Sequence, residues 1–170
     1  MDAKPAADSR AEITHLMGVT DANNRGNIHG GTVMKLADEA AALAAIKHSR
    51  QRVVTVGMDR MNFLVPIYVG ELVTFRATVN AAWRTSMEVG VKAMVEDVRK
   101  GGGFRQVASA YLTFVAVDAT GKSIEVPQVI TETEHQKRRF EDAGRRREMR
   151  SGEVQRRKDL RATLPPEWHI

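Results

Sequence analysis

Hydrophobic and polar residues alternate along four segments in the middle of the chain. Alternation with a period of two, together with many β-branched residues, predicts β-strands. The four segments are Val53–Phe63, Glu71–Trp83, Met87–Val98 and Phe104–Asp118. A shorter candidate strand, Ile13–Met17, precedes them. Short turns such as Lys100–Gly103 connect the segments, which favours antiparallel neighbours in one sheet.

One apolar segment, from about Gly31 to Ser49, has the composition of a helix that is buried in a core. An antiparallel sheet with one face to bury can be covered by a single helix of this kind. The pattern therefore predicts an α+β fold in which an antiparallel sheet wraps round one central helix.

The two ends of the chain differ from this central part. Residues 1–8 are polar and are predicted to form a disordered tail, and the folded domain is expected to span residues 9–128. Residues 129–170 carry charges of alternating sign with scattered apolar residues. This pattern predicts a charged C-terminal helical extension that is solvated on the surface.

The composition narrows the functional classes. The chain has 170 residues, a formal net charge of +5 and no cysteine, so disulfides and thiolate–metal sites are excluded. We expect a cytoplasmic protein, because neither a signal segment nor an apolar run of roughly 18 residues is present. The histidines are scattered, so no metal is expected. Acidic residues interrupt the arginine-rich tail, so no nucleic acid is expected, although a tail that binds nucleic acid or an anionic surface remains an alternative.

One carboxylate, Asp38, lies in the middle of the apolar segment. A carboxylate that is held away from water costs several kcal/mol unless it is paired, hydrogen-bonded or protonated. A loop rich in glycine and amide side chains, residues 21–31, leads into the helix start, where unpaired N–H groups can bind an oxyanion. This combination suggests attack on a carbonyl group. The alternative is a structural ion pair between Asp38 and Lys35, and Glu39 is expected to be structural.

Three stretches of sequence carry a family resemblance: DANNRGNIHGGTVMKLADEAA, VTVGMDRMNFLVPIYVGELV and AYLTFVAVD. Over about residues 9–128 the chain resembles the hotdog-fold acyl-CoA thioesterases, specifically the cytosolic acyl-CoA hydrolase group. The resemblance implies a hydrolase of fatty acid metabolism that converts acyl-CoA to free fatty acid and coenzyme A. It implies no cofactor other than the coenzyme A of the substrate. It also implies a homodimer as the minimal unit and a trimer of dimers, a hexamer, as the assembly.

The same resemblance assigns the catalytic residues by position. Asp38 matches the catalytic acid of the family, and Asn23 matches an amide that the loop of the partner subunit supplies. The N–H groups near Gly30 and Gly31 are candidates to hold the carbonyl oxygen of the thioester, since glycine lets a ligand approach the backbone. The role of Asp38, general base or nucleophile, stays open.

Residues that bind the rest of the substrate are less marked in the sequence. Phosphates of coenzyme A require cations and hydrogen-bond donors at strand ends or turns, and the candidates are Arg60, Arg84, Thr85 and Ser86. The candidates for an apolar acyl slot are Met34, Met58, Met61, Phe63 and Leu64. A hydratase or dehydratase of acyl thioesters, with His29 beside Asp38 or Glu39, is the alternative enzyme class. The preferred acyl chain length is not predicted.

Overall fold

A computed structural model describes residues 1–97 and 102–163 of the chain. The elements are β1 (Lys4–Pro5), β2 (Ala11–Leu16), α1 (Gly30–Ser49), β3 (Arg52–Phe63), β4 (Leu72–Ala82), β5 (Ser86–Asp97), β6 (Gly103–Val117), β7 (Val129–Ile130) and α2 (Glu134–Thr163). Short 3-10 helices cover Ala6–Ser9 and Val19–Asp21. Residues 98–101, which include part of the predicted glycine-rich turn, and the end of the extension after residue 163 lie outside the described residues.

The main sheet has five antiparallel strands in the order β2-β4-β5-β6-β3. The strands lie where the alternating pattern predicts them, because each has one face to bury. Strand β3 forms one edge, and its register against β6 shifts twice, between Thr55 and Gly57 and between Met58 and Arg60.

Helix α1 packs on the inner face of the sheet. Its buried face consists largely of alanine, including Ala37, Ala40, Ala41 and Ala44, and these residues join Phe75 and other sheet residues in one core. Small side chains allow the helix axis to lie close to the curved sheet. The predicted antiparallel sheet wrapped round one central helix is confirmed.

The N-terminal segment is ordered, and the predicted disordered tail is wrong from residue 4 onwards. Strand β1 pairs with β7 in parallel, and the buried residues Ala6 and Ser9 follow it. The Ser9 hydroxyl donates to the Ala6 carbonyl at 2.7 Å and accepts the N–H of Val79 at 2.9 Å. The segment docks through small residues and backbone pairing, which a pattern of large apolar residues does not reveal.

Helix α2 is the predicted charged extension, but the expectation that it is solvated along its length is wrong. Its N-terminal half lies on the outer face of the sheet, where Ala143 is fully buried and Arg139 bonds to Asn80 of β4. Residues 151–163 are exposed. Within the described part of the chain, neither α1 nor α2 combines the length and hydropathy needed to cross a bilayer.

Candidate active site

Asp38 lies on the side of α1 that faces away from the core. The hydroxyl of Thr55, on the edge strand β3, donates a hydrogen bond of 2.9 Å to its Oδ1 atom. Asp38 is only half-buried in the single chain. The expectation of a carboxylate held away from water is therefore wrong for one chain by itself. An apolar helix pattern does not distinguish a face covered by the chain's own sheet from a face left for another copy.

The alternative of a structural ion pair at Asp38 is not supported. The Lys35 ammonium lies 3.8 Å from Oε1 of Glu39, one turn further along α1, and both side chains are exposed. Across residues 1–97 and 102–163, no cationic group lies within ion-pair distance of Asp38. The carboxylate therefore remains available for chemistry, while Glu39 pairs with Lys35 on the exposed side of the helix.

Asn23 is held in the loop that precedes α1. Its Oδ1 atom accepts the N–H groups of Arg25, at 2.8 Å, and Asn27, at 3.3 Å. Its own N–H donates to the Asn27 carbonyl at 2.7 Å. These bonds fix the side chain through its oxygen, so the Nδ2 donors have no partner among the described residues and can bind a ligand.

The start of α1 presents free backbone donors. The His29 N–H donates to the Asp21 carbonyl at 2.8 Å, and the His29 carbonyl accepts the Val33 N–H at 3.3 Å. In the part of the chain that the structure describes, the N–H groups of Gly30 and Gly31 have no acceptor. This is the arrangement that an oxyanion site requires.

An open cavity of about 380 Å³ brings Asn23 and Gly30 together with Phe63 and Leu64, two of the candidates for the acyl slot. A Cβ atom on Gly30 would lie 3.3 Å from Cζ of Phe63. Asp38 does not line this cavity, since it follows Gly30 by more than two helical turns, a rise of about 12 Å. One chain therefore gathers the amide and the helix start but leaves the carboxylate apart.

The candidate residues for coenzyme A binding are not gathered at one place. Arg84 and Thr85 form the turn between β4 and β5, and Ser86 begins β5. Ser86 pairs with Val115 of β6, whereas Arg60 pairs with Tyr111, so the two candidates lie roughly 13 Å apart along β6. Arg84 lines an open cleft with Trp83 and Arg147 of α2, and Asp38 is not among the residues of that cleft.

The histidine of the alternative enzyme class is also apart from the acids. His29 is the exposed residue before the first turn of α1. Among the described residues no hydrogen bond or ion pair joins it to Asp38 or Glu39. Nor do any three His, Asp or Glu side chains there converge in a way that could hold a metal ion.

Exposed apolar residues of α1 and of the edge strand β3, here called the edge surface, lie beside the Asp38–Thr55 pair. They are Met34, Leu43 and Ile46 on α1, and Val54 and Val56, which flank Thr55 along β3. Val56 also lines a cleft with Arg147 and Arg150 of α2 on the outer face of the sheet. A long apolar edge strand is a template for pairing with another chain. The carboxylate thus lies where a second molecule is expected to complete the site.

Comparison with known proteins identifies the family. The acyl-CoA hydrolase from Staphylococcus aureus, solved with butyryl coenzyme A, coenzyme A and coenzyme A disulfide, is 34% identical to this chain. The two structures superpose with a TM-score of 0.86 over 93% of this chain and 96% of the other. The sequence model of the thioesterase superfamily matches residues 25–101. The chain belongs to the thioesterase superfamily. The hotdog fold expected from the sequence is thereby confirmed.

Two other superfamily members bear on length and assembly. The human cytosolic acyl coenzyme A thioester hydrolase is 36% identical over 135 residues, which are 79% of this chain and 36% of that protein. The chain therefore spans about a third of the length of this curated relative. The structure of an apo-hexameric acyl-CoA thioesterase is 36% identical, with a TM-score of 0.84 over 97% of this chain and all of the other.

Variants of the S. aureus hydrolase point to a residue that the sequence analysis missed. Three single variants of that hydrolase have been solved, each with alanine at one position. The first replaces an asparagine, the second an aspartate 15 residues later, and the third a threonine 17 residues after the aspartate. Asn23, Asp38 and Thr55 have the same two intervals. One threonine in a β-branched strand looks like an ordinary strand residue, and its position opposite the acid on α1 is visible only in three dimensions.

Proposed function

We propose that this chain is an acyl-CoA thioester hydrolase, which converts an acyl-CoA and water to a free acid and coenzyme A. The observation that carries the proposal is the Asp38–Thr55 pair beside the exposed apolar residues of the edge surface. A carboxylate retained on such a surface is costly once the surface is covered, and that cost is typical of a catalytic group. The matching spacing of Asn23, Asp38 and Thr55 in a superfamily member with bound coenzyme A supports the same assignment.

The minimal active unit is a homodimer in which Asp38 of one subunit meets Asn23 of the other. Two features support this arrangement: the apolar edge surface, and the separation of Asp38 from the cavity that Asn23 and Gly30 line. Three such dimers form the proposed hexamer, and the thioesterase of similar structure that is hexameric supports an assembly of six chains. The cytoplasm is the proposed compartment, in line with the cytosolic relatives.

The chemistry divides between the two sides of the dimer site. The free N–H groups of Gly30 and Gly31, with Nδ2 of Asn23, hold the carbonyl oxygen as it gains negative charge. In one route Asp38 takes a proton from the attacking water, the C–S bond breaks, and that proton passes to the leaving sulfur, which gives the free acid and the thiol of coenzyme A. In the other route Asp38 attacks the carbonyl carbon, the C–S bond breaks to form a mixed anhydride and the coenzyme A thiolate, and water then hydrolyses the anhydride, supplies a proton for the thiolate and restores Asp38. The Thr55 hydroxyl holds one carboxylate oxygen, so the other oxygen faces the substrate.

Binding of the coenzyme A moiety by Arg60 and by the Arg84–Thr85–Ser86 turn remains part of the proposal. The two places are too far apart to contact one phosphate, but coenzyme A carries a pyrophosphate and a separate phosphate on its ribose, so each place can bind a different one. The residue that contacts coenzyme A should raise KM when replaced by glutamine or alanine and leave kcat close to the parent value. No cofactor beyond the substrate is proposed.

A thiol-release assay on a series of acyl-CoA substrates tests the proposal. Asp38→Asn and Asn23→Ala should each lower kcat by about 100-fold or more, as loss of a catalytic acid or an oxyanion donor does elsewhere. Glu39→Gln is the matched control, an acid on the same helix, and should keep the parent rate. If Asp38→Asn also keeps that rate, the proposed mechanism is wrong.

Mixing the two inactive variants tests the shared site. Random reassortment gives half heterodimers, each with one intact site of two, so co-refolded Asp38→Asn and Asn23→Ala protein should recover about a quarter of the parent activity. No recovery, in a mixture shown to contain heterodimers, would mean that both residues belong to one subunit's site.

A further inference from the structure

A second concave site lies on the outer face of the sheet, opposite α1 and the Asp38–Thr55 pair. The N-terminal half of α2 and strands β4, β5 and β6 enclose a groove of about 440 Å³, here called the outer groove. Five of its lining residues are basic: Arg76, Lys92, His135, Arg138 and Arg139. The proposed hydrolysis uses none of them.

Most of these basic residues form no ion pair with a carboxylate of residues 1–97 and 102–163. Lys92 and Arg138 form no ion pair with any described residue. Arg139 is half-buried, and its hydrogen bond in the described part of the chain goes to the neutral amide of Asn80, at 2.8 Å from Nε to Oδ1. Burial lowers the pKa of Arg139, which is the mark of a cation whose desolvation is not fully compensated.

Two carboxylates near the outer groove form ion pairs with arginines. Asp142, the one acidic residue of its lining, bonds to Arg145 outside the groove. Glu12 forms an ion pair with Arg76, with 2.9 Å between Oε2 of Glu12 and Nε of Arg76. An excess of unneutralised positive charge therefore remains at Lys92, Arg138 and Arg139.

The positive charges act on a common region. The pKa of His135 is lowered first by desolvation and then by the charges of Arg139, Arg138 and Lys92. Lys92 of β5 and the two arginines of α2 thus lie close enough to affect one imidazole. In the sequence, Lys92 precedes His135 by 43 residues and the arginines by more. The fold, and not a local run of basic residues, creates this positive field.

The rest of the lining suits phosphate oxygens. Thr78, Ser109 and Tyr111 carry hydroxyl groups, and Gln106 carries an amide. Gly90, between them, has no side chain, and a Cβ atom there would lie 3.3 Å from Nη2 of Arg139. The glycine leaves room for the guanidinium group, which can bind two oxygens of a phosphate at once.

We propose that the outer groove binds a phosphate-bearing anion at a site separate from the thioester-hydrolysing centre. The shared chemistry is two or more phosphate oxygens held by Lys92, Arg138 and Arg139. The phosphates are either those of a coenzyme A molecule or those of a separate phosphorylated compound. The proposal does not depend on the hydrolase activity, because it rests on charges on the other face of the sheet.

Calorimetric titration of the full chain with inorganic pyrophosphate tests the proposal. The parent protein should bind one pyrophosphate per chain, and Lys92→Gln/Arg138→Gln should raise Kd by about tenfold or more. Both residues are exposed, so this double variant should melt close to the parent temperature.

The matched control is Lys122→Gln/Arg156→Gln, which removes the same charge at exposed positions outside the outer groove. It should change Kd by less than about twofold. Absence of binding to the parent, or equal weakening by the two double variants, would overturn the proposal, because binding would then be absent or a response to net charge alone.

Competition distinguishes the two sources of phosphate. If coenzyme A displaces pyrophosphate, and Lys92→Gln/Arg138→Gln weakens that displacement, the outer groove holds coenzyme A phosphates. If both bind together, the site serves a separate phosphorylated compound. Either result supports the site, and neither depends on whether the chain releases thiol from acyl-CoA.

Discussion

Arg146 of α2 and Glu88 of β5 form an ion pair beneath the helix, and Glu88 is fully buried. The guanidinium donates from Nη2 to Oε1 at 2.6 Å and from Nε to Oε2 at 3.0 Å. The same group lies 3.7 Å from the centre of the Tyr111 ring. Asn80 donates a third bond to Glu88, at 3.1 Å. This pair anchors a highly charged helix to the outer face of the sheet.

Breaking the anchor from one side should be costly. Arg146→Met leaves a buried carboxylate short of its main partner, and we expect a loss of about 3 kcal/mol in the free energy of unfolding. Urea denaturation measures this. The control Arg157→Met removes an exposed pair with Glu153 and should cost less than about 0.5 kcal/mol. Adding Glu88→Gln to Arg146→Met should restore part of the loss. If the single variant costs no more than the control, the pair does not hold α2.

Replacing Gly90 should destabilise the fold, because a larger residue has no room there. A Cβ atom there would lie 2.8 Å from Nδ2 and 3.1 Å from Oδ1 of Asn80, the residue that bonds to both Glu88 and Arg139. Gly90→Ala should therefore lower the free energy of unfolding by about 1–3 kcal/mol. Gly152→Ala, in an open part of α2, is the matched control and should stabilise by about 0.5–1 kcal/mol. Equal effects of the two substitutions would contradict this account.

Thr55 should act through the carboxylate that it contacts. Thr55→Val keeps the shape and removes the hydrogen bond to Asp38, so kcat should fall by about tenfold with little change in KM, as expected of a positioning residue. Thr55→Ser retains the hydroxyl and should recover most of the rate. A fall with serine as large as with valine would show that the methyl group, and not the hydroxyl, matters.

The sequence predicts the strands and α1 because both carry a regular apolar period, which burial on one face imposes. It misplaces the environment of α2 because a solvated helix and a helix anchored by arginines have the same alternation of charge. Glu88 illustrates the reason: it occupies a polar position of an alternating strand, and its partner Arg146 is 58 residues away. No local pattern joins the two.

The candidate site divides in the same way. Asp38 and Asn23 are predicted from the family resemblance, whereas the half-buried state of Asp38 depends on which face of α1 the sheet covers. The Thr55 contact depends on strand β3 lying beside α1, which no spacing rule gives. The cations of the outer groove were missed because Lys92 and Arg139 belong to elements that only the tertiary fold brings together.

A buried histidine should make the stability of the fold depend on pH. His48, at the end of α1, is fully buried, and its Nε2 atom lies 2.9 Å from the Pro127 carbonyl, so the neutral ring donates there. Its Nδ1 atom has no partner among the described residues. Desolvation lowers the pKa of His48 below its ordinary value of 6.5, against the opposing effect of the bond to Pro127.

The sign of the effect follows from proton uptake. Below about pH 6.5 the unfolded chain protonates this histidine while the folded protein does not, so the free energy of unfolding should fall with acidification, by up to about 1.4 kcal/mol per pH unit. The loss continues down to the pKa of His48 in the folded protein, and above pH 6.5 the free energy of unfolding should not change with pH on account of this histidine.

Urea denaturation of the parent and of His48→Gln between pH 8 and pH 5 measures this dependence. Below pH 6.5 the free energy of unfolding should fall less steeply with acidification in the glutamine variant. His29→Gln, at an exposed position, is the control and should follow the parent. Identical slopes for the parent and His48→Gln would mean that the buried ring takes up its proton without unfolding.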